Sequence, residues 1–275
     1  MSGEDDAAFC AQDVRERDFE RYALTLFVAP EHRRALLALY AFNAEVSRVR
    51  DMVSQSLPGE IRLQWWADAL AGKEHGEVGG NPIAAELLHA VEAYGLPRDV
   101  LDSLIEARRF DLYDDPIPSL QHLEAYATRT DGTMLALSAR VLGGDAARAE
   151  APAREAGIAL GIMRAINLLP LHASRRQLYL PADLIAQFQV QIEDVLVGQP
   201  TPALRELIGH LHGVVQARYD AATAQLPSLP PGVRPAFRQL ALLRRQLEAG
   251  VPQDPFRPPE RSRLRTLWTM WRAKR

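Results

Sequence analysis

Two aspartates four residues apart could hold a metal ion. Asp111 and Asp115 belong to the run DLYDDP at residues 111–116, and on a helix their carboxylates would lie on one face, where Mg²⁺ could accept their oxygens. Pro116 follows at once, so an exposed acidic helix end is the simpler alternative. We treat the pair as a weak metal candidate.

A second polar face predicts a remnant of such chemistry. Asn43, Ser47 and Asp51 recur every four residues, so a helix would place them together. They bring a single carboxylate, and Arg48 adds a positive charge beside it. A structural ion pair of Asp51 with Arg48 or Arg175 is the alternative, and if exposed it would contribute only about 0–1 kcal/mol.

A third candidate is an anion site in the short polar crossing at residues 172–176. His172, Ser174, Arg175 and Arg176 lie close together there, shortly before Tyr179 in the run LYLP. Guanidinium groups bind phosphate or carboxylate in a bidentate manner, so a lipid head group or a diphosphate could dock without metal. The alternative is a solvated connection between two helices.

The elements that would position these residues are helices. Apolar side chains recur at spacings of three and four, and alternating strand patterns of weight are absent. Gly, Pro and polar runs separate the segments. We predict one all-α domain spanning residues 1–275, with residues 1–12 mobile and residues 250–275 a basic tail; the helices are predicted at residues 13–27, 31–53, 82–94, 99–114, 120–142, 156–169, 204–226, 235–249 and 264–272.

Composition restricts the protein class. The 275 residues carry a net charge of −3, 47% apolar residues and one cysteine, Cys10, so neither a disulfide framework nor a cysteine zinc site can form. No apolar run reaches the roughly 18 residues of a membrane span, and the acidic opening resembles no targeting peptide. These features predict a cytoplasmic protein.

The C-terminal tail predicts contact with an anionic membrane. Residues 261–275 mix Leu264, Leu267, Trp268 and Trp271 with six cations, a composition that suits a lipid surface if helical. The alternative is a helix that packs its tryptophans on the bundle. Nucleic acid is not an expected partner, because the rest of the chain offers no basic groove.

Several motifs, in order along residues 19–185, closely resemble the squalene/phytoene synthase family. They are YALTLFVAP at 22–30, RRALLALYAF at 33–42, QWW at 64–66, YGLP at 94–97, Asp111-Leu112, Tyr126 with Thr130 and Gly132, and LYLP at 178–181. The resemblance implies the isoprenoid-synthase fold, a helical bundle with a central cavity. Members join two prenyl diphosphates head to head, holding Mg²⁺ with two aspartate-rich motifs on facing helices.

The chain departs from that pattern at both motifs. Only Asp51 remains of the first, and the second is replaced by PLHASRR at residues 170–176, which contains no acid. One branch of the family, a mitochondrial complex I assembly factor, shares this departure, and HASRR with Leu180-Pro181 matches it. One aspartate among arginines could not bind three metal ions, so we expect a cavity emptied of its acidic motifs.

Three functions follow from this resemblance. The first is a non-catalytic protein without a cofactor, which binds an isoprenoid or quinone-like lipid or assists respiratory-complex assembly at the inner face of a membrane. In that protein the head group would be bound by Arg48, Asp51, His172, Ser174, Arg175 and Arg176. The polar wall of the cavity would carry Asn43, Ser47 and Tyr179. The second is a prenyl transferase that uses Mg²⁺ on Asp51 with Asp111 or Asp115. The third is a helical interaction module without a ligand.

Overall fold

The chain folds into helices throughout its described part. The computed structural model describes residues 3–53, 55–73, 80–257 and 262–273, and within these ranges it contains no β-strand. The all-α prediction is therefore confirmed. In chain order the helices are α1 Gly3–Arg17, α2 Phe19–Thr25, α3 Pro30–Ser47, α4 Ser56–Leu70, α5 Pro82–Tyr94, α6 Arg98–Arg109, α7 Leu120–Ala127, α8 Thr133–Val141, α9 Ala146–Asn167, α10 Leu169–Ser174, α11 Ala182–Gln187, α12 Ile192–Leu196, α13 Pro202–Gln225, α14 Leu240–Ala249 and α15 Arg263–Arg272.

The N-terminal segment differs from its prediction. We expected residues 1–12 to precede the first helix, but α1 begins at Gly3 and packs against α3 and α5. Cys10 is 1% exposed and Val14 is fully buried. These two residues are one turn apart, so one apolar side of an otherwise acidic segment is enough to place it in the bundle. Residues 1 and 2 lie outside the described residues.

Polar caps explain where several helices begin. The Asp18 side chain accepts a hydrogen bond from the backbone N–H of Arg21 at the start of α2. The Asn81 side chain accepts two, from Ile83 and Ala84, at the start of α5. Each bond satisfies a backbone donor that the helix itself leaves without an acceptor. The Asp18 cap separates α1 from α2, whereas the apolar pattern had predicted a single helix at residues 13–27.

The helix predicted at residues 120–142 contains a wider turn. α7 and α8 are joined without a break by a π-helical turn, Thr128–Gly132. This turn lies against α9 at Gly132, Gly157 and Gly161, where the two backbones approach closely. A π turn inserts one extra residue into a helix and redirects the side chains around it. Here it directs Thr130 and Asp131 into the interior.

The central helix α9 ends where a proline begins the next one. α9 starts at Ala146, ten residues earlier than predicted, with Asp145 as its cap. It ends at Asn167, and Pro170 lies in the first turn of α10, a position that tolerates the missing N–H. The segment predicted as a polar crossing at residues 172–176 is therefore partly helical. Residues 172–174 form the last turn of α10, and residues 175 and 176 follow it.

Large side chains of α3 and α4 meet in the bundle core. Trp66 is 1% exposed and meets Phe42 edge to face, with ring centroids 5.1 Å apart. Trp66, the last residue of the QWW motif, is therefore a core residue. None of the helices in the described part of the chain is long and apolar enough to cross a lipid bilayer.

Candidate functional site: an arginine-lined cavity

A polar cavity of about 350 Å³ opens between the end of α3, the end of α6, the π turn, the C-terminal half of α9 and α10. Its charged lining consists of six arginines and three aspartates, so positive charge dominates. The charged residues are Arg17, Arg48, Arg50, Arg108, Arg164, Arg175, Asp51, Asp111 and Asp131. Ser47, Tyr126, His172, Gln177 and Tyr179 add polar groups, and Leu123, Ala165, Leu168 and Leu171 add apolar walls.

Asp111 is a buried member of this cavity and does not lie at an exposed helix end, which corrects our prediction for it. The phenol groups of Tyr126 and Tyr179 both donate to its carboxylate, at 2.7 and 2.6 Å to Oδ1. Arg108 adds a longer contact of 3.4 Å to Oδ2. The helix α6 tightens into a 3₁₀ turn at residues 110–112, which rotates Asp111 inward. Asp115 is exposed and does not line the cavity.

Tyr126 and Tyr179 are fixed as neutral hydrogen-bond donors. Burial raises the pKa of Tyr179 far above its ordinary value of 10.0, and the nearby Asp111 carboxylate raises it further. Burial likewise raises the pKa of Tyr126, although Arg108 opposes the shift. Tyr126, which the sequence showed only as part of a family motif, lines the cavity. The two phenols therefore donate hydrogen bonds to the Asp111 carboxylate but do not neutralise its negative charge.

Asp131 forms the innermost ion pair, and the sequence analysis did not find it. Its Oδ1 accepts from Arg164 Nη2 at 2.7 Å and from Arg21 Nη2 at 3.0 Å. Asp131 is 3% and Arg21 also 3% exposed. The run around Asp131, TRTDG at residues 128–132, is polar and gave no signal of a buried ion pair. The partner could not be read from the sequence, since Arg21 and Asp131 are 110 residues apart.

Asp51 pairs with Arg175 at the cavity mouth, as one of the predicted alternatives proposed. Arg175 Nη1 lies 2.5 Å from Asp51 Oδ1, and both side chains are about a third exposed. Ser47 and Arg48 lie next to this pair in the cavity wall. Arg48 forms no ion pair within the described part of the chain, although its charge also acts on the Asp13 carboxylate.

His172 lines the cavity as a neutral group. Its ring stacks on Tyr179, with centroids 4.3 Å apart and the ring planes inclined by 29°. Burial and, to a smaller extent, the nearby charge of Arg175 lower the pKa of His172 from 6.5 to about 4, while Asp51 opposes the shift. At neutral pH this imidazole therefore offers a hydrogen bond to a head group, and no charge.

The titration of His172 is a direct check of this environment. Its folded-state pKa is lower than the unfolded one, so its contribution to stability is complete above pH 6.5 and is lost as the pH falls through about 4. We expect the imidazole resonance, assigned by its loss in His172→Phe, to titrate with a midpoint near pH 4. A midpoint near 6.5 would contradict the buried, stacked position.

Four predicted site residues lie elsewhere. Ser174 and Arg176 are exposed at the end of α10, and the Arg176 side chain extends to Glu193, 3.7 Å away. Arg176 adopts φ 54°, and the N–H of Gln177 bonds the carbonyl of His172, a helix-ending motif that turns position 176 outward. Asn43 is buried in α3 and, like Asp115, does not line the cavity.

The cavity and every helix after α1 lie within a region that matches one known family. The model of the squalene/phytoene synthase family matches residues 14–272. The chain belongs to this family. The recognition made from the motifs at residues 22–42 and 178–181 is therefore confirmed.

The squalene/phytoene synthase relatives include assembly factors and enzymes. NADH dehydrogenase (ubiquinone) complex I, assembly factor 6 from Mus musculus is 33% identical over 252 residues, which are 91% of this chain and 76% of that protein. The phytoene synthase of Thermus thermophilus is 29% identical over 216 residues, 77% of this chain and 71% of that protein. A crystal structure of a dehydrosqualene synthase in complex with ligand matches with TM-score 0.84 at 17% identity, covering 99% of this chain and 96% of that chain. The likeness confirms the predicted isoprenoid-synthase fold.

The Mg²⁺ that the resemblance to squalene/phytoene synthases implies does not fit the residues of this cavity. We expected the cavity to have lost its acidic motifs, but three aspartates line it, which corrects the expected number of carboxylates. Each is already bonded to arginine or tyrosine: Asp51 to Arg175, Asp111 to two phenols, and Asp131 to two arginines. No group of three or more acidic, histidine or cysteine side chains suited to a metal ion occurs in the described ranges.

Proposed function

We propose that this protein is a non-catalytic member of the squalene/phytoene synthase family that assists the assembly of respiratory complex I at the inner face of a membrane. In this proposal the arginine-lined cavity binds the anionic head group of an isoprenoid lipid without metal. The observation that carries it is the charge of the cavity, where six arginines surround three aspartates that are themselves bonded to arginine or tyrosine.

The electrostatics favour an anion over a divalent cation. Mg²⁺ at Asp131 would compete with Arg164 and with the buried Arg21, which would then keep only the partly exposed Asp18. Arg108 is 6% exposed, and no described residue accepts from its Nε or Nη2, so its charge is only partly compensated. A phosphate or carboxylate group in the cavity would add the missing negative charge.

The absence of a fitting metal site argues against the transfer chemistry. Cleavage of a prenyl diphosphate requires charge neutralisation of the leaving group, which Mg²⁺ ordinarily supplies. The neutral tyrosines and His172 of this cavity donate or accept hydrogen bonds, but they are not poised to stabilise a leaving diphosphate together with a carbocation. Apolar wall residues such as Leu123, Leu168 and Leu171 offer a surface that part of a lipid tail could contact.

The assembly role is supported by sequence similarity. Proteins named complex I assembly factor 6 match the chain along most of its length, at 33% identity in Mus musculus and 30% in Homo sapiens. The phytoene synthase match is shorter and less identical. We propose that this chain binds subunits of the respiratory complex as these relatives' name indicates.

The assembly role can be tested in the host cell. Deletion of the gene is expected to lower both NADH:quinone oxidoreductase activity and the amount of assembled complex in the membrane, and the wild-type gene should restore them. Complex II activity measured in the same membranes is the internal control. Unchanged complex I in the deletion strain would contradict the assembly role.

The anion site can be tested with the purified protein. Arg48→Ala removes a cavity charge without leaving a described partner unpaired, and Arg176→Ala removes an arginine of the neighbouring turn that extends away from the cavity. Because a hydrogen bond to a charged group is worth about 1.5–3 kcal/mol, we expect Arg48→Ala to weaken binding of inorganic pyrophosphate roughly 10- to 100-fold, with Arg176→Ala unchanged. Calorimetry in the presence of a chelator measures both.

The same preparation distinguishes the enzymatic alternative. With Mg²⁺ and farnesyl or geranylgeranyl diphosphate we expect binding but no release of pyrophosphate above the uncatalysed rate. Release that a chelator abolishes would establish a prenyl transferase and overturn the non-catalytic proposal. The metal-free site would be overturned if pyrophosphate binding required Mg²⁺, or if Arg48→Ala and Arg176→Ala weakened it equally. If a quinone bound more tightly than pyrophosphate, the ligand would have a neutral head group in place of a charged one.

A further inference from the structure

Helix α15 presents an apolar stripe to the outside of the bundle. Leu264, Trp268 and Trp271 are 79%, 57% and 48% exposed, and their spacing places them on one side of the helix. The indole rings of Trp268 and Trp271 stack with centroids 5.2 Å apart. Exposed tryptophans are unusual, because their large apolar surface normally stabilises a core or an interface.

The opposite side of α15 fixes the helix on the bundle. Met270 is fully buried and Thr266 is 8% exposed. The guanidinium of Arg263 lies over the Phe19 ring, 4.9 Å from its centroid, and Arg245 of α14 donates to the Thr269 hydroxyl at 2.9 Å. α15 is therefore held by its inner side, and its tryptophans face outward as a consequence of that attachment.

The charge of α15 indicates which partner would cover the tryptophans. The helix contains Arg263, Arg265 and Arg272 and no acidic residue. Arg265 and Arg272 are seven residues apart, so they lie together on one flank of the tryptophan stripe. Tryptophan prefers the head-group level of a bilayer, and arginine is attracted to anionic lipids. A helix of ten residues is about 15 Å long, so it can lie on a bilayer but cannot span one.

Two grooves beside α15 contain residues that are close in sequence to the lining of the arginine-lined cavity. The groove beneath it includes Asn167, which bonds Gln246 at 2.8 Å, and the next residue, Leu168, is 36% exposed and lines the cavity. On the other side, Arg15 shares a groove with Arg263, while Arg17, two residues further along α1, lines the cavity.

We infer that the Leu264, Trp268 and Trp271 stripe of α15, with Arg265 and Arg272 on its flank, docks the protein on an anionic phospholipid surface. The inference deepens the proposed location at the membrane by naming the surface and the lipid chemistry.

The test uses the full chain with vesicles of phosphatidylcholine, prepared with and without phosphatidylglycerol. Sedimentation is expected to show binding only to the vesicles that contain phosphatidylglycerol. The Trp268→Ser/Trp271→Ser variant should bind at least roughly tenfold more weakly. The matched control is Leu57→Ser/Ile61→Ser, which removes two equally exposed apolar residues, 67% and 64%, from α4. Thermal unfolding checks that both variants are folded.

A charge variant separates the two components of the surface. Since each basic residue near an anionic leaflet contributes about 1 kcal/mol, Arg265→Ala/Arg272→Ala should weaken binding about thirtyfold and reduce its salt dependence. Equal loss in the α4 control, binding that is independent of phosphatidylglycerol, or burial of the stripe in a dimer detected by light scattering would overturn the inference. Vesicle binding does not require complex I, so a normal deletion strain with intact vesicle binding would refute only the assembly role.

Discussion

Asp131→Ala is expected to lower the free energy of unfolding by about 3–5 kcal/mol, which is the usual cost of removing one member of a buried ion pair. Asp131 bonds both Arg21 and Arg164, and the Arg21 side chain is only 4% exposed. After the substitution Arg21 would keep only Asp18, 2.9 Å away and partly exposed. Because whole domains are stable by roughly 5–15 kcal/mol, the loss would be severe. Denaturant titration measures it.

The control is an ion pair of the same cavity that is open to solvent. Asp51→Ala removes the partner of Arg175, where both side chains are about a third exposed, and should cost only about 0–1 kcal/mol. If the two substitutions destabilise the protein equally, the interior position of Asp131 is wrong.

The acid sensitivity of the fold follows from the same residue. Burial alone would raise the pKa of Asp131, but Arg164 and Arg21 outweigh it and hold the pKa below the ordinary 3.8. The folded state therefore binds this proton less tightly than the unfolded chain. The stabilisation is complete well above pH 3.8 and is lost as the pH falls through the folded-state pKa. The unfolding free energies of wild type and Asp131→Asn should converge in that acidic range; a constant difference there would contradict the ion pairs.

Gly157→Ala is expected to destabilise the protein by about 3 kcal/mol, because the added methyl group has no space. A Cβ at this position of α9 would lie 2.3 Å from the Cα and N atoms of Gly132. These are backbone atoms of the π turn, so relief requires the helices to separate. Since Asp131 precedes Gly132, the same shift should also weaken its contact with Arg164. Chemical denaturation measures the loss of stability.

Gly213→Ala is the matched control for this prediction. Gly213 lies inside α13 with no atom within 4 Å of an added Cβ. There the substitution should stabilise the protein by roughly 0.5–1 kcal/mol, since alanine has less conformational freedom to lose in a helix. The same chemical change is therefore expected to act with opposite signs at the two sites. A neutral or stabilising Gly157→Ala would contradict the close approach of α9 and the π turn.

Local sequence patterns predicted helix positions reliably where residues of a single helix determine them. The apolar spacing of residues 36, 39, 42 and 46 predicted α3, and the stop at Gly95 predicted the end of α5, where the backbone adopts φ 58°. The motifs around Tyr40 and Leu180 were sufficient to identify the family. The arginines at residues 48 and 175 line the cavity, and their contact with a head group stays a prediction.

The sequence by itself determined the helical class, the family and the positive character of one cavity wall, because helix periodicity and short motifs depend on residues close together in the chain. The tertiary structure decided which charges meet. Asp111 turns inward through a 3₁₀ turn, Asp131 through a π turn, and Arg176 turns outward at the end of α10. A change of one residue in helical register moves a side chain by about 100° around the axis. Each local turn therefore reassigns its residue between cavity, core and solvent, and the partner it meets can lie more than a hundred residues away, as Arg21 and Asp131 do.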